Sequence, residues 1–276
     1  MGATTRRRLA QLSIVAGLAL LALSASWLVW PAPSGGAPAA PGLAGPSAPP
    51  SPELAAVRSV DALAALVREG GGATPRDVAE RATALVGARF EPCEPTAFGV
   101  RQNWILAAVG VVRPLQATHT SRHLIAYARC GGCGQVNGTL VRVLERLGIP
   151  ARLFNVPGHV VAEASWNGRW HLVDAHFGFF PAPDEEHVDA EALTRDPQLV
   201  RAVYGERVSP ILLASLVRAF ERHRPGDPAF GPRARGADVS PRLAALHRVL
   251  EAAKWLVPAA MIAAGSLALR RAPSWR

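Results

Sequence analysis

Four residues between positions 130 and 174 are of types that could do chemistry together: Cys130, Cys133, His159 and Asp174. The cysteines stand in "CGGCGQVNG" (130–138), two residues apart, which leaves three chemistries open. They could form a redox dithiol, contribute half of a zinc site, or comprise one working thiol and a neighbour. Zinc needs further ligands at short spacing, and the chain has neither a second CxxC nor an HxxxH, so no metal is expected. A thioredoxin-like dithiol should open a helix straight after a strand. The preceding "HLIAYAR" is a poor strand, and that reading leaves His159 and Asp174 without a role.

The elements that must carry these residues follow from pattern and punctuation. Gly134 to Leu147 is apolar at 136, 140, 143, 144 and 147, the spacing of one helix face, and Gly148 stops it. Cys133 therefore sits at a helix N-terminus, where the aligned peptide dipoles favour a thiolate. Three strands are expected next, at 149–156, 159–166 and 169–175. The last two are joined by Asn167-Gly168, a strong hairpin signal. A two-residue turn there pairs Trp166 with Arg169 and sets Val161 opposite Asp174. His159 and Asp174 are then diagonal neighbours on one face, about 7–8 Å apart at the backbone, a gap that imidazole and carboxylate can close. His171 pairs with Ala164 and points to the other face. A carboxylate beside an imidazole fixes its tautomer and orientation, and a thiol completes a Cys-His-Asp arrangement.

With these residues in place, "GGCGQVNGTLVRVLERLGIPARLF" followed by "GHVVAEASWNGRWHLVDAHFG" resembles the transglutaminase-like (papain-like) cysteine-peptidase superfamily over roughly 130–178. The marks are Cys133 ahead of "LGIPAR", His159 opening a strand, and Asp174 fifteen residues later after "NGRWHLVD". The resemblance implies an α+β fold, with helices packed on an antiparallel sheet. It also implies a nucleophile at Cys133, a base at His159 and an orienting acid at Asp174. Amide or peptide bonds would be cut through a thioester, with water or an amine as acceptor and no cofactor. It further implies oxyanion help from an upstream side chain, with Gln102, Asn103 and Trp104 in "RQNW" as candidates. Gln135 is either a pocket residue or a cap of the helix start. Two positions depart from the family pattern: Val161 stands where an aromatic is common and Ala175 where proline is common. The alternative from another class is a non-catalytic binding or scaffold domain of the cell envelope, since function resides in a site and not in a fold.

Upstream, Ser59 can cap a helix to about Arg68. Thr74-Pro75-Arg76-Asp77 starts another, "NWILAAVGVV" (103–112) reads as a buried helix, and "SRHLIAYA" from Ser121 as a short helix or turn. Downstream, 209–223 is the clearest helix. Glu163 shares a face with His159 and is expected to line the cleft. Trp166 and Trp170 should pack in the hairpin, and His119 and His123 read as surface or turn residues. Cys93 in "EPCEP" reads as a loop thiol, with pairing to Cys130 as the alternative outside the cell. Cys130 is also a candidate redox partner able to cap Cys133 as a disulfide.

The net charge of +9 on 276 residues suggests nucleic acid, but six arginines at 6–8, 270, 271 and 276 account for most of it. Those arginines flank two apolar segments, so the charge reads as membrane-flanking and no nucleic-acid partner is expected. Residues 1–11 form a basic N-terminus. Residues 12–30 are a transmembrane helix or signal anchor, with a cleaved signal peptide as the competing reading. A Pro/Ala/Gly-rich linker covers 31–52, the transglutaminase-like domain 53–225 and a second linker 226–248. Residues 249–269 are the second span, with an amphipathic or buried helix as its competitor, and 270–276 a basic C-terminus. Positive charge at both outer ends places both termini in the cytoplasm and the domain outside. The expected partners are the membrane and a peptide or protein amide substrate.

Overall fold

In the computed structural model the described residues are 3–29, 50–93, 97–110, 112, 115, 118, 120–182, 188–224, 230–232 and 240–271. The fold is α+β and divides into two compact units. One comprises Met1–Ala32, Ala97–Ala117 and Ala245–Arg276; the other comprises Pro33–Thr96 and Thr118–Ala244. The linker expected at 31–52 lies outside the described residues up to 49.

The second unit is built on a four-stranded antiparallel sheet in the order β5-β4-β3-β6. Its strands are β3 (Ala151–Val156), β4 (His159–Trp166), β5 (Arg169–Val173) and the two-residue β6 (Gly231–Pro232). A separate parallel pair joins β1 (Glu91–Pro92) to β2 (Cys130–Gly131). Asn167 and Gly168 both adopt positive φ, 51° and 74°, the conformation a two-residue hairpin needs to match strand twist. That turn pairs Trp166 with Arg169, Ala164 with His171 and Ala162 with Val173. The strand ladder stops at Val173, and Asp174 instead bridges to Phe179.

Side chains alternate across the sheet, so each face has its own core. Leu153, Ala162, Ala164, Trp166 and Val173 pack with four helices: α3 (Val60–Glu69), α4 (Pro75–Arg89), α6 (Ser121–Tyr127) and α7 (Cys133–Arg146). Phe154, Val156, Val161 and Leu172 pack on the opposite side with α8 (Ala190–Arg195), α9 (Pro197–Tyr204) and α10 (Pro210–Glu221). The caps are written in the sequence. Ser51 opens the short α2 (Pro52–Ala56), Ser59 opens α3, Ser209 opens α10, and Thr74 with Asp77 forms a reciprocal capping box with Pro75 in the first turn of α4.

The first unit holds α1 (Ala3–Val29) and α11 (Pro241–Arg271), the latter beginning within the other unit. Both helices are long and apolar enough, by length and composition, to cross a bilayer. They pack antiparallel at small residues: Ser13 Oγ donates to Met261 O at 2.9 Å. A Cβ on Gly17 would lie 2.8 Å from Ile262 and Pro258, and one on Gly265 would lie 2.6 Å from the Ala10 carbonyl. The second linker is shorter than expected. Residues 241–248 are helical, because Ser240-Pro241 starts a helix whose apolar positions run on into the expected span. The buried helix expected at 103–112 is α5 (Trp104–Val109), in which Leu106 alone is buried; it belongs with the terminal helices, not with the sheet.

Candidate active site

Cys133 is the first residue of α7, half-buried, and not part of any disulfide. The first N–H groups of this helix have no helical acceptor and point at the thiol end. Beside the thiol stand the imidazole of His159, which hydrogen-bonds it, and the backbone of Val160. Burial pushes the Cys133 thiol up. The nearby His159 charge, the His159 hydrogen bond and the Val160 backbone outweigh burial, so the thiol lies below its usual range.

His159 opens β4 because Gly158, at φ 87°, turns the chain from β3. Its Nε2 lies 3.0 Å from Asp174 Oδ2, which leaves Nδ1 as the nitrogen for the thiol. Burial lowers the His159 pKa, but the negative partners Cys133 and Asp174 raise it more strongly, so the ring is held as a cation while the thiol is ionised. The ring of Phe177 lies against it, with centroids 5.1 Å apart. His171, on the other face, stacks on Trp166 at 3.8 Å and hydrogen-bonds its carbonyl. Strand alternation thus separates the two histidines.

Asp174 is fully buried, and burial pushes its pKa up. The His159 hydrogen bond and charge, His176 and Asn137 pull it below the usual carboxylate range. Five donors serve the carboxylate. Oδ1 accepts from Asn137 Nδ2 at 2.9 Å, His176 N at 3.0 Å and Phe177 N at 3.4 Å; Oδ2 accepts from Tyr204 Oη at 3.0 Å as well as facing His159. Such saturation lets a carboxylate stay ionised away from water. His176 is pushed down to about 4 by burial, with the His159 charge adding to the effect, so it is neutral near pH 7.

Asn137 and Tyr204 are the residues that sequence reasoning missed. Asn137 lies one turn beyond Cys133, at i+4, so the same helix face presents the thiol to His159 and the amide to Asp174. Its Nδ2 also donates to Val160 O at 2.8 Å, and its Oδ1 accepts from Ala175 N at 2.9 Å. The available signal was a polar residue on the apolar side of an amphipathic helix. Tyr204, from α9, is buried, and burial followed by the Asp174 charge holds its phenol far above its ordinary range, as a permanent donor. Nothing local in "LVRAVYGE" marks it.

Other expected site residues are placed differently. Gln135 is a cap: its Oε1 accepts from Gly132 N at 3.1 Å and its Nε2 donates to Thr118 O at 2.8 Å. Gln102, Asn103 and Trp104 lie in the unit of the terminal helices. Asn103 caps α5 with its Oδ1, and its Nδ2 donates to Leu250 O and Glu251 Oε2. Gln102 accepts from Gly99 N through Oε1 and from Lys254 Nζ through its carbonyl, and Trp104 is half-buried at the start of α5. Glu163 does not line a cleft. It is buried, paired with Arg152 at 2.6 Å, and accepts from Ala190 N.

Cys130 is not the partner of Cys133. It is bonded to Cys93, with Cα atoms 5.7 Å apart, across the parallel β1–β2 pair that brings residues 91–92 beside 130–131. The CxxC spacing is therefore not closed on itself, and Cys93 is a disulfide partner instead of a loop thiol. His123 is buried and stacked on Tyr127, not at the surface, whereas His119 lies outside the described residues. A scan against protein-family models and searches of curated proteins and of solved structures each returned no match.

Proposed function

We propose that this protein is a membrane-anchored, transglutaminase-like cysteine enzyme that acts on amide or peptide bonds by acyl transfer. The observation that carries the reading is the continuous chain Cys133–His159–Asp174, ending in a buried carboxylate held by five donors. The family resemblance of 130–178 and the α+β arrangement, with the thiol at a helix N-terminus beside a sheet, support it.

In this reading the Cys133 thiolate attacks the substrate carbonyl, and the oxyanion is met by the free N–H groups at the start of α7. His159, as imidazolium, gives its proton to the leaving amine as the C–N bond breaks, leaving a thioester on Cys133. His159 then takes a proton from water or an incoming amine, which attacks the thioester and releases the thiolate. Asp174 keeps its charge throughout and orients the ring. Asn137 and Tyr204 act through Asp174 as positioning residues.

In this reading the terminal helices anchor the enzyme, and the basic residues outside them favour an orientation with both ends in the cytoplasm and the cysteine unit on the outer side. The Cys93–Cys130 bond suits an oxidising compartment. The test is labelling with a cysteine-directed acyl probe. Wild type should be labelled at Cys133, while Cys133→Ala and His159→Ala should not. Labelling that survives Cys133→Ala overturns the assignment, and an unlabelled but folded wild type favours a binding module.

A further inference from the structure

The segment between Thr96 and Thr118 leaves the cysteine unit, joins the terminal helices and returns. It has both a buried and an exposed apolar set: Phe98 and Leu106 are buried, and Arg101 is exposed. The polar Gln102 and Asn103 are buried, and their bonds run to α11 at Leu250, Glu251 and Lys254. A second set of apolar side chains turns outward: Val100 is 56% exposed and Val112 49%, while Trp104, Ile105 and Val109 are half-exposed. Single exposed apolar side chains are ordinary, whereas several gathered in one segment mark an interaction surface.

The attachment point indicates what this surface meets. Twenty residues, about 30 Å of helix, counted back from the basic end Arg270-Arg271 of α11 reach the level of Glu251. On α1 the same level is marked by Ser24, whose Oγ bonds Lys254 O, with Trp27 one turn on. Residues 250–254 therefore stand at the outer boundary of the hydrocarbon core, where Trp is favoured and where buried Lys254 and Asn103 both bond the Glu251 carboxylate. Neighbouring Leu28, Val29 and Val249 are also apolar and exposed at this end.

We propose that residues 98–110 with Val112 form a bilayer-interface insertion, whose exposed apolar side chains are covered by phospholipid at the outer headgroup–acyl boundary. The inference rests on the membrane-anchored reading above and adds a third lipid contact to the two helices.

The experiment uses the full chain in phosphatidylcholine vesicles with Cys133→Ser as background. Val100→Cys, Val112→Cys, Val15→Cys and Ile211→Cys are labelled one at a time with an environment-sensitive fluorophore. Quenching by headgroup- or shallow-labelled spin lipids is compared with quenching by deep-labelled ones. At positions 100 and 112 the shallow-to-deep quenching ratio should exceed one. At Val15, an exposed mid-helix position of α1, it should fall below one, and at Ile211 on α10 neither lipid should quench. Quenching at 15 without quenching at 100 and 112 overturns the insertion while leaving the anchors intact. Blue-shifted but unquenched emission at 100 and 112 assigns the surface to a protein partner and equally overturns it. Absence of quenching at 15 as well overturns the membrane reading itself. Should a cysteine variant fail to fold, photolabelling of wild type with a diazirine phospholipid gives the same comparison by the mass of labelled peptides.

Discussion

Replacing Asn137 by alanine tests whether Asp174 is held by its neighbours or merely lies among them. Asn137 is fully buried and makes three hydrogen bonds of 2.8, 2.9 and 2.9 Å, to Val160 O, Asp174 Oδ1 and Ala175 N. Loss of a bond to a carboxylate costs about 1.5–3 kcal/mol, and each buried peptide group left unpaired costs about 1–3 kcal/mol. The three losses share one void, and a water entering it would satisfy part of them, so the expected total is about 3–5 kcal/mol. Against a typical stability of about 5–15 kcal/mol this is large. For a unit of this size it corresponds to a fall in Tm on the order of 10 °C. Exposed Glu145→Ala on the same helix is the control, expected within about 0.5 kcal/mol of wild type. Differential scanning fluorimetry of the full chain in detergent reads the stability, and the rate of Cys133 alkylation at neutral pH reads the site. With one donor gone from Asp174, alkylation should slow as well. A Tm within two degrees of wild type, together with unchanged alkylation, would refute the claim that Asn137 clamps the carboxylate.

Three further outcomes follow from the same geometry. The rate of Cys133 alkylation against pH should rise through a midpoint below that of a free thiol; in His159→Ala, with burial no longer opposed by the imidazolium, the midpoint should move above it, and coincident profiles would remove His159 from the thiol. Denatured, unreduced protein should titrate one thiol per chain, and Cys93→Ser should add a second and destabilise the chain by up to about 4 kcal/mol for a closed loop of 37 residues; three titratable thiols would contradict the disulfide. Gly265→Leu should separate α1 from α11 and lower the efficiency of a cross-link between cysteines placed at Ser13 and Met261 several-fold, whereas an unchanged yield would show that the helices do not meet at that glycine.

The sequence by itself determined the features set by short-range periodicity. Strand alternation about Asn167-Gly168 puts His159 and Asp174 on one face and His171 on the other. Capping chemistry at Ser59, Thr74 and Ser209 starts three helices, and the apolar run at 12–30 is long enough to span a bilayer. These follow from a repeat of 2 or 3.6 residues and from the side chain's own reach to its backbone. Tertiary structure decided what depends on which distant segments meet. Pairing β1 with β2 gave Cys130 to Cys93 and left Cys133 free, although CxxC spacing suggested otherwise. Docking α9 on the sheet brought the Tyr204 phenol to Asp174, thirty residues away in sequence. Packing of Asn103 with the terminal helices gave its amide to Glu251, 148 residues away in sequence. Each of these is a long-range hydrogen bond or disulfide whose loop-closure entropy is met by the burial of whole elements, and no local pattern records which elements will meet.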